Sequence, residues 1–102
     1  MILPYKLKIM KNWRNKKLKN LASALLAVKD QNEMENFLRD LCTLEELEEL
    51  SSRWEVVLLL AKGESYREIS RKTKVSTTTV TRIAQWLNNG EGGYGAVLKR
   101  TK

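Results

Sequence analysis

Histidine is absent from this 102-residue chain, and cysteine, proline and phenylalanine each occur once. Without histidine the chain lacks the commonest general base and the commonest metal ligand. No nucleophile has a base nearby in sequence, and there is no phosphate-cradling glycine loop or cluster of metal-ligand residues, so neither an enzyme nor a metal site is expected. The lone Cys42 cannot form an intramolecular disulfide and reads as a buried, reduced thiol of a cytosolic protein. The single proline, Pro4, leaves the rest of the chain open to helix formation. β-Branched residues cluster only at Val56–Val57 and within 65–87, which points to an all-α fold. No apolar run approaches the roughly 20 residues of a membrane span. The basic N-terminus has neither the apolar stretch nor the cleavage site of a secretion signal. The expected location is cytoplasmic, at the nucleoid.

What is present is charge, unevenly placed. Residues 1–30 carry eight Lys/Arg against one acid, residues 31–50 one Arg against seven acids, and residues 51–102 ten Lys/Arg against four acids, giving a net charge of +7. Basic ends around an acidic middle suit a protein that touches a polyanion with its ends and a partner with its middle. Ordinary solubilising surface charge is the plainer reading of the same pattern. A chain of this length is one domain with a small core, so a core shared with a second copy is consistent with its size.

The stretch SYREISRKTKVSTTTVTRIAQWL, residues 65–87, has the layout of a helix-turn-helix, the unit that places a helix in the DNA major groove. Ser65 and Glu68 form a capping box for the first helix. Ile69 and Ser70 face inward, Val75 plugs the turn, and Ser76 caps the second helix. Val80 and Ile83 recur at helical spacing and pack back on Ile69. Ser76, Thr77, Thr78, Thr81, Arg82 and Gln85 are the candidate DNA contacts, because hydroxyls, an amide and a guanidinium can bond to bases or phosphates. Lys72 and Lys74, near the turn, are candidate phosphate contacts. Lys74 stands where such turns often carry glycine, so a left-handed backbone there implies modest strain. A helical hairpin with a polar outer face is the alternative.

Elsewhere the pattern predicts helices over Leu18–Lys29 and Glu33–Leu41, separated by a break at Asp30–Gln31–Asn32. Their apolar stripes are Leu18, Leu21, Ala22, Leu25 and Leu26 in the first and Met34, Phe37, Leu38 and Leu41 in the second. Thr43 and Glu46 form another capping box opening the longest helix, whose expected buried face is Leu44, Leu47, Leu50, Trp54, Val57, Leu58 and Ala61. Lys62 and Gly63 close it, with Gly63 as a left-handed cap. Four glycines within residues 90–95 exclude a continuing helix after Leu87, and Ala96–Lys102 reads as a last turn or a tail. The expected organisation is a basic N-terminal arm at 1–17, a helical dimerisation and DNA-binding domain at 18–90, and a Gly-rich basic tail at 91–102. The arm lies along phosphates or forms the frayed start of a helix, and Met10 is an alternative start.

With these pieces placed, residues 37–90 resemble the Trp repressor superfamily, and closely its Trp-repressor-like (YerC/YecD) branch. The resemblance is carried by FLRDLCTLEELEELSSRW, LLAKGESYREI and TTTVTRIAQWLNNGEGGYG. It implies a Trp-repressor-like all-helical domain, an intertwined homodimer and double-stranded DNA as partner. In the Trp repressor, free tryptophan binds beside each reading head. Thr43, Arg53 and Arg82 match pocket positions of that family. Ile83 stands where the family has a glycine that lets the indole approach, and Trp86 where it has a serine that meets the amino group. The stretch between the two arginines is also one residue shorter. A branched side chain at Ile83 excludes a ring sterically, and Trp86 adds bulk while removing a polar partner. The candidate pocket is thus Thr43, Arg53, Arg82, Ile83 and Trp86, no cofactor is expected, L-tryptophan is not expected to bind, and any other effector is unidentified. Arg53 has two readings, a partner for Glu49 or a helix C-terminus, or a contact to an unknown anion.

The leading expectation is a dimeric, sequence-specific transcriptional regulator that represses. One alternative is a sigma-factor-like promoter reader, because TLEELEELSSRWEVVLLLAKGESYREIS also looks like the region of those factors that reads the upstream promoter element. The other is a helical protein-interaction module whose acidic middle, Glu33 to Glu49, docks a basic partner.

Overall fold

The computed structural model describes residues 12–101, all of whose regular structure is helical. Residues 1–11 and 102 lie outside the described residues, and with them Met10 and most of the basic arm. The chain divides into two compact units, Met1–Leu41 and Cys42–Lys102.

The first unit contains α1 (Lys16–Ala27) and α2 (Gln31–Leu41). Both begin two residues earlier than the apolar pattern predicts, because polar side chains set their starts. Asn15 Oδ1 accepts from the Leu18 amide at 2.9 Å. Asp30 Oδ1 accepts from the Glu33 amide at 2.8 Å, while Glu33 Oε1 accepts from the Lys29 amide at 3.2 Å. Asp30 is therefore the cap of α2 rather than part of a break. Lys16, Lys17 and Lys19, assigned from sequence to or beside the arm, lie in α1. No residue of α1 or α2 is buried, although Leu21, Leu25, Met34, Phe37 and Leu38 are partly covered.

The second unit contains α3 (Leu44–Ala61), α4 (Tyr66–Thr73), α5 (Thr77–Asn89) and α6 (Gly93–Arg100). The Thr43–Glu46 capping box is complete: the Glu46 amide donates to Thr43 Oγ1 at 3.1 Å and the Thr43 amide to Glu46 Oε1 at 2.8 Å. At the other end Gly63 adopts φ +84°, letting its amide reach Leu60 O (3.0 Å) and the Glu64 amide reach Leu59 O (3.2 Å). This pair of bonds satisfies carbonyls that a helix end leaves free and turns the chain sharply into α4.

The core lies where α3, α4 and α5 meet. Val56, Val57, Ile69, Val80 and Ile83 are fully buried, with Trp54, Leu59, Leu60, Val75, Leu87, Tyr94 and Leu98 packed around them. Each such side chain contributes about 1.5–3 kcal/mol by leaving water. The buried face of α3 differs from the predicted stripe. Val57 belongs to it, but Val56 does too, whereas Leu44 and Leu50 are 65% and 51% exposed and Leu58 and Ala61 are also exposed. The run of apolar residues from Val56 to Ala61 lets several faces satisfy helical periodicity, and the positions of α4 and α5 choose among them. The glycine-rich segment does end α5, where a Cβ at Gly90 would strike the Trp86 carbonyl oxygen. A further helix then starts at Gly93, inside the stretch expected to be irregular, and its Tyr94 and Leu98 pack on the core. None of the described helices is long and apolar enough to cross a membrane.

Candidate nucleic-acid interface

Helices α4 and α5 form the predicted helix-turn-helix, and each joint has an identifiable cause. Ser65 Oγ accepts from the Glu68 amide at 3.1 Å, starting α4, but the expected capping box is only half made, because the Glu68 carboxylate pairs with Arg71 instead of the Ser65 amide. Lys74 ends it in the left-handed region, φ 63° and ψ 17°, and is the one non-glycine with positive φ among the described residues. Thr73 braces the turn: its hydroxyl donates to Ile69 O at 2.8 Å and accepts from the Val75 amide at 3.2 Å. Sequence reasoning passed over Thr73, although a threonine in a last helical turn is placed to bond back to the carbonyl four residues earlier. Val75 packs against the core as expected, and Ser76 Oγ accepts from the Thr79 amide at 3.1 Å, starting α5.

α5 is two-faced. Val80, Ile83 and Ala84 are buried. Thr77, Thr78, Thr81, Arg82 and Gln85 are all exposed. At about 100° per residue these five span about 140° of the helix circumference, on the side away from Val80 and Ile83, with Thr77 bordering Ala84. Thr81 already donates to Thr77 O at 2.9 Å, so its hydroxyl is left as an acceptor. Ser76 is exposed but occupied, since its hydroxyl also donates to Thr79 Oγ1 at 3.0 Å.

The cations beside this face differ in their engagements. Lys74 is exposed on the turn. Lys72, by contrast, holds Glu64 Oε1 at 2.6 Å. Arg71 is paired with Glu68, Nη2 to Oε1 at 2.8 Å, with its Nε donating to both carboxylate oxygens at 3.2 Å. That hydrogen-bonded pairing holds the Glu68 carboxyl below the ordinary glutamate value and raises Arg71 above its own.

Beside α5 lies a cleft of ≈ 460 Å³ bounded by Glu49, Arg53, Ser76, Thr79, Arg82 and Trp86, among others. Three of the five residues assigned to a pocket from sequence, Arg53, Arg82 and Trp86, line it. Thr43 and Ile83 do not: Thr43 caps α3, and Ile83 is fully buried in the core. Arg53 takes the first of its two expected readings, the pairing with Glu49, and adds a contact that the sequence did not signal, to the Trp86 ring. Its Nη2 meets Glu49 Oε1 at 3.2 Å, and its guanidinium lies 5.7 Å from the centroid of the Trp86 ring.

A second, apolar groove of ≈ 710 Å³, which the sequence did not signal, is bounded by Trp54, Trp86, Gly90, Gly93, Tyr94 and Val97, among others. Trp54 and Tyr94 stand with ring centroids 6.3 Å apart. The groove exists because α6 folds back on the core, which is why a reading that ended the domain at residue 90 could not find it.

Known proteins share this arrangement. A Trp-repressor-like protein from Eubacterium eligens ATCC 27750 superposes with a TM-score of 0.82 at 36% identity, over 88% of this chain and 93% of that one. A candidate Trp repressor from Staphylococcus aureus gives 0.81 at 33% identity, over 90% and 91%. The uncharacterized protein YerC of Bacillus subtilis (strain 168) is 38% identical over 89 residues, which is 87% of this chain and 86% of YerC. The model of the family described as Trp repressor protein matches residues 16–102. With a match of that length, and a relative that similar over most of both chains, this chain belongs to the Trp repressor family, on the branch that includes YerC.

Proposed function

We propose that this protein is a sequence-specific DNA-binding regulator that acts as a homodimer and represses transcription. The observation that carries the reading is the division of α5: a fully buried apolar face fixes the helix on its scaffold, while Thr77, Thr78, Thr81, Arg82 and Gln85 share the opposite, exposed face. A helix held that way can enter a major groove and present hydroxyl, methyl, amide and guanidinium groups to base edges. Two heads would meet half-sites about one helical turn, ~34 Å, apart. Support for a dimer comes from apolar surface left open in the single chain, with Leu26, Leu44 and Leu50 each more than half exposed, and from the groove between Trp54 and Val97.

The reading extends to the effector. Trp86, whose ring faces Arg53, already supplies an indole to the cleft, and Ile83 is committed to the core. Free L-tryptophan would therefore meet an indole at the position where the family has a serine, so the head is set without it. Calorimetry is expected to give no heat of stoichiometric tryptophan binding.

Selection of bound duplexes from a random pool, with and without amino acids, tests the reading. The double change Thr78→Ala with Thr81→Ala is expected to cut binding to a selected site by about 30-fold or more, from at least about 1 kcal/mol for each of the two lost base contacts. Binding to random duplex should stay close to wild type. Equal loss on both duplexes, or no enrichment in the selection, would defeat the assignment.

A further inference from the structure

Among the cations around the reading head, Lys72 has a partner of an unusual kind. Glu64 sits between Gly63, in the left-handed region, and Ser65, which caps α4. Its backbone is tied as well, the amide donating to Leu59 O at 3.2 Å. Across about two turns of α4, Glu64 Oε1 and Lys72 Nζ meet at 2.6 Å. The other oxygen, Oε2, is buried with no hydrogen-bond partner, and the Glu64 side chain is only 26% exposed. The carboxylate has thus given up much of its water, and Lys72 is its compensation. A half-buried pair of this sort is held more tightly than one in free solvent, and removing one partner leaves an uncompensated charge.

Given a DNA-binding head, we infer that Glu64 is an internal competitor for phosphate. It occupies Lys72, so the lysine that sequence reading assigns to the DNA backbone is not a phosphate contact in the wild-type protein. Neutralising Glu64 releases Lys72 to the duplex. The carboxylate thereby limits sequence-independent affinity, which favours a regulator that must leave random DNA to find its site. Lys74 has no such restraint and remains the phosphate contact of the turn.

The test measures binding to a random-sequence duplex between 0.05 and 1 M salt for wild type, Glu64→Gln, Lys72→Gln and the double variant, with Glu55→Gln as a control that adds the same charge at an exposed site on α3. One added phosphate contact steepens the salt slope by about 0.9 and tightens binding about eightfold at 0.1 M salt relative to 1 M. Glu64→Gln is expected to show that change, Lys72→Gln to match wild type, and the double variant to match Lys72→Gln. Glu55→Gln should leave the slope unchanged. Glu64→Ala repeats the release without an amide in the buried position, so a folding defect in one variant leaves the other to decide. Thermal unfolding supplies a second reading: Lys72→Gln lowers the Tm in the wild-type background and not beside Glu64→Gln. The inference is overturned if Lys72→Gln flattens the wild-type slope by about 0.9, because Lys72 would then already touch phosphate. It is equally overturned if Glu64→Gln and Glu64→Ala leave the slope where it was. Failure of the DNA-binding reading shows elsewhere, as no preference for any selected duplex over random duplex, while the slopes on random duplex still report on Lys72.

Discussion

Two helical pairs in this chain have similar sequence credentials and different fates. α1 and α2 each carry an apolar stripe and a polar cap, yet neither contributes a buried residue. Taken as a pair, α4 and α5 are no longer and no more apolar, yet they contribute Ile69, Val80, Ile83 and Ala84 to a sealed core. The difference is α3. Its Val56 and Val57 give the second pair a surface to close on, and the turn at Lys74 holds α4 and α5 at the angle that uses it. A stripe specifies only that a helix will be covered, and the partner surface decides where and by what.

The strongest way to break this comparison is to make one truncation in each pair. Ile83→Ala is expected to cost about 2–5 kcal/mol, since the cavity has rigid walls on three helices. Leu26→Ala, at a residue 86% exposed, should stay within about 0.5 kcal/mol when the protein is dilute enough to be monomeric. Denaturant unfolding reads both. A large cost at Leu26 in dilute protein would mean that α1 is as fully cored as α5.

The next effect concerns the surfaces that the single chain leaves open. Leu50 belongs to the stripe read from sequence as buried, and it is 51% exposed. If a second copy covers it, Leu50→Asp places a charge in that interface. The dimer dissociation constant is then expected to rise at least tenfold, equivalent to about 1.4 kcal/mol. Sedimentation at several concentrations measures this. Unchanged association would show that α3 is not part of the shared surface.

What could be read from the sequence follows the range of the interactions involved. The Thr43–Glu46 box, the Ser65 and Ser76 caps and the Gly63 stop are settled within a few residues, and all were legible. So was the division of α5, because its polar and apolar positions alternate at a clean helical period. Asp30 was legible in principle, as an acid three residues before Glu33, but it was hidden by a break-like Asp-Gln-Asn run. The faces of α3 were not legible, because the consecutive apolar residues from Val56 to Ala61 allow several stripes and only α4 and α5 select one. α6 was missed for the opposite reason. Each helical glycine costs about 1 kcal/mol relative to alanine, and what offsets Gly93 and Gly95 is the distant packing of Tyr94 and Leu98. The candidate site shows the same limit. Arg53, Arg82 and Trp86 line one cleft, whereas Ile83 serves the core.

The smallest effect is at Lys74, where the two halves of the comparison meet in one residue. The turn that lets α4 and α5 reach their core requires a left-handed backbone there, φ 63°. For an L-residue with a side chain that conformation costs about 1–2 kcal/mol. Glycine adopts it without strain but loses more freedom on folding, by about 0.5–1 kcal/mol. Lys74→Gly is therefore expected to stabilise the second unit by up to about 1 kcal/mol, seen as a raised Tm. If Lys74 also touches a phosphate, the same change flattens the salt slope of duplex binding by about 0.9. Lys74→Ala separates the two contributions, flattening the slope without raising the Tm. Stability and DNA affinity moving in opposite directions at Lys74→Gly would explain why a lysine stands where the backbone favours glycine: the ammonium group serves the interface and the strain is its structural cost. A Tm gain with no change in slope would leave that strain without a functional reason, and would move the phosphate contacts of the head onto Arg82.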